Sequence, residues 1–141
     1  MRLGSIKLLV KGNPTSIQSP DNGGALPLHI ACQHHKSANV IEYLVGLDTS
    51  TLAAADKDGN TTLHYACRCA RYEIIAMLLE KYDTGIYLFR RNAHNKLPID
   101  LLWESDEVED RENIEYTDSI FRLLKAYPEA HLTYVLCKTT S

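Results

Sequence analysis

No stretch of this sequence is apolar for long enough to cross a bilayer. It also lacks the basic excess of a general nucleic-acid binder, with a formal charge of −3. Neither a membrane nor a nucleic acid is therefore expected as a partner. The opening, "MRLGSIKLLVKGNP", does not read as a signal peptide, because Lys7 interrupts its apolar stretch and no small-residue cleavage site follows. Cysteine is sparse: Cys32, Cys67, Cys69 and Cys137. Without an export signal these read as reduced thiols, and an intracellular protein, cytoplasmic or nuclear, is expected. Catalytic signatures are missing too. There is no Gly-rich phosphate loop, zinc-protease helix or serine elbow. Neither an enzyme activity nor a cofactor is expected.

What the chain has is a period. Its 141 residues suit one domain and its 45% apolar content can fill a core. Pro27-Leu28-His29-Ile30-Ala31-Cys32 returns 35 residues later as Thr62-Leu63-His64-Tyr65-Ala66-Cys67. Asp21 and Gly24 match Asp56 and Gly59 at the same shift, and Ile6 to Val10 match Ile41 to Val45. Asn92 to Asp100 then follow Asp56 to His64 at a shift of 36, and Ile74 to Leu78 return as Ile120 to Leu124 at 46. About ten residues are thus inserted in the last unit. A fixed period of this size marks stacked units, none of which can bury its apolar face alone.

Each unit has the same parts. A turn carries Gly24, Gly59 or Asn95 where a positive φ is needed. A helix then starts with Pro27, Thr62 or Pro98 in its first position. Thr61 is a good N-cap, whereas Leu26 and Leu97 in the same place lack a capping oxygen, at about 1 kcal/mol each. The first helix buries Leu28, Ala31 and Cys32, or Leu63, Ala66 and Cys67, on one face. A second helix carries Val40, Ile41, Leu44 and Val45, or Ile74, Ile75, Leu78 and Leu79. Helices are predicted near 3–11, 27–34, 38–46, 62–69, 72–81, 98–104 and 116–126.

"DKDGNTTLHYA", Asp56 to Ala66, and "DNGGALPLHIA", Asp21 to Ala31, resemble the ankyrin-repeat pattern D-x-x-G-x-T-P-L-H-x-A. The resemblance runs over about residues 3–126. It implies an all-α ankyrin-repeat α-solenoid of stacked helix-turn-helix units with hairpin-like connecting loops. The expected organisation is an N-terminal half repeat, second helix only, over 1–20, and repeats over 21–55 and 56–91. A degenerate terminal repeat over 92–127 carries an acidic insertion at 104–115, and a tail covers 128–141. In the terminal unit Asp100 replaces His, Leu102 replaces Ala, and Trp103 stands where Cys32 and Cys67 stand. A ring that large fits best where one side of the stack is open.

The resemblance implies a non-catalytic module that binds another protein through its loop tips and the concave face of its first helices. By position these residues are Asn22, Ala25, Gln33 and His34, then Lys57, Asp58, Asn60, Arg68 and Cys69, then His94, Lys96 and Glu104. The alternative is a structural or assembly fragment of a larger array, completed by further sequence or another chain. Ile6, Leu9 and Val10 lack a first helix of their own, so self-association through the open N-terminal half repeat is one route. His29 and His64 are expected to bond turn backbone and tie adjacent units together.

Other chemistry is weaker. Cys32, His34, His35, Cys67 and Cys69 suggest zinc, but Cys-x-Cys on a helix splays its side chains about 200° apart. "DKDGN" lacks the length and terminal glutamate of a calcium loop. Cys69 should point outward as a thiol open to reaction. The insertion "ESDEVEDRENIE", Glu104 to Glu115, has seven carboxylates and one arginine. It reads as a mobile, extended surface loop, either a passive solvated insertion or a charged surface that would steer basic partners.

Overall fold

In this computed structural model, residues 11–34, 38–82 and 90–125 are described. They hold six α-helices: α1 (Pro27–His34), α2 (Ala38–Leu47), α3 (Thr62–Arg68), α4 (Tyr72–Lys81), α5 (Pro98–Glu104) and α6 (Ile114–Lys125). Two short 3-10 segments, Pro14–Gln18 and Thr49–Ala53, complete them, and the described residues contain no strand. None of the helices is long and apolar enough to cross a membrane. The helix predicted near 3–11, and with it most of the half repeat and its self-association route, falls on residues outside this set. So does the tail over 128–141.

The first helices α1, α3 and α5 pack in one row, and α2, α4 and α6 pack in a second row behind them. One continuous core runs from Ile17 to Leu123 through Leu28, Ile41, Leu63, Ile74, Leu78 and Ile99. Shared burial of this kind is what stacking provides and a lone unit cannot. The all-helical solenoid read from the period is the observed fold.

The turns show why their residues recur. Gly24 and Gly59 have φ of 80° and 77°, and Asn95 has 62°. A Cβ on Gly24 would lie 2.9 Å from the Lys57 amide nitrogen, so no other residue fits there without displacing backbone. Asp21 Oδ1 accepts the amides of Gly23 and Ala25, each at 2.9 Å. Asp56 Oδ1 accepts those of Asp58 and Asn60, each at 2.9 Å. Asn92 Oδ1 does the same for His94 and Lys96, each at 3.0 Å. One acceptor oxygen is all the turn requires, which is why Asn can replace Asp in the last unit.

Helix starts follow the expected chemistry with one correction. Thr61 caps α3, its hydroxyl accepting from the His64 amide while His64 Nδ1 accepts from the Thr61 amide at 3.2 Å. Leu26 and Leu97 do lack a capping oxygen, but the reverse half of the box survives at both. The Leu26 amide donates to His29 Nδ1 at 3.0 Å and the Leu97 amide to Asp100 Oδ2 at 2.9 Å. One otherwise unpaired amide is satisfied in each, so the loss is smaller than the missing cap alone implies. Ala70, with φ of 53°, is a left-handed residue between α3 and α4 that the period did not mark.

The last unit departs from the sequence reading twice. Its second helix starts at Ile114, and its register against α4 is 45, one less than expected. Leu123 is fully buried like Leu78, and Ser119 takes the buried place of Ile74. Phe121 is thereby turned outward and is 63% exposed. The insertion is also not the free, extended loop expected. Ser105 and Val108 are buried, and Arg111 Nη1 donates to the Trp103 carbonyl at 2.8 Å and to the Tyr116 hydroxyl at 3.0 Å. Arg111 Nη2 adds a bond to the Ser105 carbonyl at 3.1 Å. Its one cation thus folds the segment back over the end of α5, which offsets the mutual repulsion of the carboxylates. Trp103 is half-buried where Cys32 and Cys67 are fully buried.

Candidate functional site

The first-helix row is held by polar groups that reach from one unit to the next. His29 Nδ1 accepts the Leu26 amide, so the proton is on Nε2, which donates to the Ala54 carbonyl at 3.1 Å. His64 Nε2 likewise donates to the Lys96 carbonyl at 3.1 Å. Burial holds both imidazoles below their ordinary pKa, against the opposing pull of those carbonyls. Both histidines are thus neutral inter-unit ties, as expected. Asp100 in the same place of the last unit accepts from its own turn through Leu97.

Tyr65 sits at the centre of the row. Its ring stacks on His29 with centroids 5.0 Å apart, and its hydroxyl donates to Asp56 Oδ2 at 2.5 Å. Burial, then the Asp56 carboxylate, pushes the phenol up to about 12. Burial also works against the Asp56 charge, but the Tyr65 hydroxyl and the Asn60 and Asp58 amides outweigh it and hold the carboxyl below its ordinary range. The Arg68 guanidinium lies 4.6 Å from the centre of the Tyr65 ring, a cation–π contact that fixes its direction.

The C-terminal ends of the first helices are closed by side chains from further along the chain. Arg71 Nε donates to the Cys32 carbonyl at 3.2 Å, and its Nη2 to the Gln33 carbonyl at 2.6 Å. Ser105 Oγ donates to the Arg68 carbonyl at 2.5 Å. These groups satisfy carbonyls that a helix leaves open, and a cation there also suits the helix dipole. Arg71 and Ser105 escaped the sequence reading, because no local rule links a side chain to a carbonyl a full repeat away.

The sequence-selected residues divide into three groups. Gln33, His34, Arg68, Cys69 and Glu104 meet in one open cleft of about 590 Å³ at the ends of α1, α3 and α5, together with Arg71, Leu101 and Ser105 to Glu107. Asn22, Lys57, Asp58 and His94 are exposed at the turn tips. Neighbouring tips are tied by backbone, through the Lys57 amide to the Gly23 carbonyl at 2.9 Å and the Ala93 amide to the Asp58 carbonyl at 2.7 Å. Lys96 is half-buried and pairs with Glu104 at 2.8 Å, next to the cleft.

Two selected residues do not face outward. Ala25 is 6% exposed because its turn folds over it. Asn60 is 5% exposed, its Oδ1 accepting from Asn92 Nδ2 at 2.9 Å, so it ties two turns together inside the stack. Both are withdrawn from the contact surface. Cys69 is half-buried rather than fully outward, while Cys32 and Cys67 are buried free thiols whose pKa burial raises. Among the described residues no group of three or more His, Cys, Asp or Glu side chains is placed to hold a metal.

The family model for ankyrin repeats (3 copies) matches residues 2–91. No curated protein shows a significant match to the chain. Ankyrin repeats are generally protein–protein interaction modules and generally not enzymes. With the match covering well over half its length, and with the turn glycines, inter-unit histidines and two helix rows in place, this chain belongs to the ankyrin-repeat family.

Proposed function

We propose that this chain binds another protein through the cleft at the ends of α1, α3 and α5 and the turn tips beside it. The convergence of five sequence-selected side chains, Gln33, His34, Arg68, Cys69 and Glu104, on one open cleft carries this reading. Arg68 is the expected centre. It is exposed, it is braced over Tyr65, and arginine is favoured among residues that dominate interfaces. Bracing lowers the entropy lost when a partner engages it. Glu104, Asp106 and Glu107 also line the cleft, so a partner with both acidic and basic groups is matched best.

The test is capture from a cell extract followed by quantitative binding of the recovered protein. Arg68→Ala is expected to weaken that binding by about 2 kcal/mol or more, with folding monitored in parallel. Glu42→Ala, on the second-helix row, should leave it unchanged. A partner that tolerates Arg68→Ala but is lost with Glu42→Ala places the contact on the other face and defeats the proposal.

A further inference from the structure

The cleft continues beyond α3. A second open cleft, of about 490 Å³, starts at the same Cys69 and is lined by Arg71, between α3 and α4, and by Tyr72 and Glu73 at the start of α4. The segment after α5 and Glu115, in the first turn of α6, line it as well. Cys69, Arg71 and Glu107 belong to both clefts, so the two join in one trough. The first cleft alone crosses the row of α1, α3 and α5. That row is two helix spacings, or about 16–20 Å. An extended chain needs about five or six residues for that length, and more for the whole trough.

Charge changes along the trough. Arg68 and Arg71 line the first cleft with Glu104, Asp106 and Glu107. In the second, Arg71 stands against Glu73, Glu107, Glu109, Asp110 and Glu115, all of them exposed. Among the described residues none of these five carboxylates forms an ion pair, and neither do Arg68 and Arg71. Elsewhere on the surface charges do pair, as Glu42 does with Lys81 and Arg122 with Glu80 and Asp118. Arg111, the one arginine of the acidic segment, is turned to carbonyls and to the Tyr116 hydroxyl instead. Opposite charges thus share one trough without neutralising each other. The carboxylates also do not converge, since no three of the described acidic, His or Cys side chains are placed to hold a metal. They are spread for several cations. Tyr72 adds an aromatic wall, its ring set edge-on to that of Tyr116 at 6.4 Å. Such a ring covers the apolar stem of a long basic side chain or faces its charge.

We propose that the trough seats an extended segment of a partner protein with a fixed order of charges. An acidic residue lies against Arg68, and two or more arginine or lysine side chains enter the second cleft beside Tyr72, Glu73, Glu109, Asp110 and Glu115. This inference rests on the cleft reading above and adds to it the chemistry of the partner.

The probe is the end-blocked peptide Asp-Gly-Gly-Gly-Gly-Arg-Gly-Arg, titrated at low salt into the isotope-labelled intact chain and followed by NMR. Amide shifts should move on one binding curve at Arg68, at Tyr72 and Glu73, and over 107–115. Glu109→Gln, Asp110→Asn and Glu115→Gln together should weaken binding about tenfold, the sum of three exposed pairs. Arg68→Ala should weaken it less, by the one pair it makes. The charge-matched set Glu42→Gln, Glu80→Gln and Glu112→Gln lies outside the trough and should change little. Absence of binding overturns the proposal, and so does an equal loss with the charge-matched set, which would show attraction to overall charge alone. Shifts confined to the first cleft and sensitive to Arg68→Ala overturn this extension while leaving the cleft reading in place. Binding that needs the second cleft but ignores Arg68→Ala counts against that reading and breaks the trough with it.

Discussion

The unit of α3 and α4 and the unit of α5 and α6 share one plan but are closed differently. The middle unit has a neighbour on each side. Its turn, its histidine and the end of its first helix are completed by groups from adjacent units, namely the Gly23 carbonyl, the Lys96 carbonyl and Ser105. The last unit bonds more within itself. It replaces the forward-reaching histidine with Asp100, which bonds its own turn, and it closes α5 with Arg111 from its own insertion. The same kinds of bond can therefore be redirected into one unit without a new fold.

The largest test of this contrast is in the core. Leu63→Ala, in the middle unit and 2% exposed, should cost about 2–5 kcal/mol and lower the whole unfolding transition. Leu101→Ala, half-buried in α5, should cost well under half of that, in proportion to the smaller area it buries. Equal losses in urea titration would show that the end is packed as tightly as the middle. Arg111→Ala comes next. It removes bonds to two carbonyls and to the Tyr116 hydroxyl, and about 1–2 kcal/mol of stability should go with them. Faster amide exchange should follow in the segment after α5. If that exchange is unchanged, the insertion is held by something else.

Acid separates the two units by a different route. His29 and His64 have folded pKa values below the unfolded value of about 6.5. The unfolded chain therefore binds more protons, and stability rises with pH in the window between the folded values and about 6.5. It should be full above that window and fall as the pH drops through it, with no further loss from these residues below the folded values. His29→Gln with His64→Gln should flatten that part of the stability profile. A profile that keeps its slope without the histidines would assign it to other groups.

The smallest expected effect is a gain. Thr62 is at the first position of α3, where Pro27 and Pro98 stand in the other units, and its buried hydroxyl is without a hydrogen-bond partner. Thr61 before it has φ of −85° and ψ of 176°, a conformation that tolerates a following proline. Thr62→Pro should add about 0.4–1 kcal/mol, read as a higher melting temperature. A loss would mean that the middle unit needs the threonine for packing.

Where bonds are local, the sequence was readable. The positive φ of Gly24, Gly59 and Asn95, the Thr61 cap and the apolar spacing of α1 to α4 each depend on a few adjacent residues, and all are observed. The errors arise where the third dimension decides. Ile120 and Phe121 look like Ile74 and Ile75, but Ser119 takes the buried place of Ile74 and the register shifts by one. Seven carboxylates look like a free loop until Arg111 finds the end of α5. Of the contact residues, Ala25 and Asn60 were misplaced because tip positions alternate between facing out and bonding the next turn. Arg71 was missed because its partners are a repeat away.

The bonds that join the turn tips are made by main chain alone, from Lys57 to Gly23 and from Ala93 to Asp58. Backbone bonds do not depend on which side chains they carry. Asn22, Lys57, Asp58 and His94 can therefore be exchanged almost freely, provided that Asp21, Gly24, Asp56, Gly59, Asn92 and Asn95 hold the turns beneath them. Heritable change in this protein is thus channelled: mutations at the tips are structurally cheap, and those in the turns beneath them are not. The tips are where a lineage, or an experimenter with a randomised library, can vary the surface at the least risk to folding.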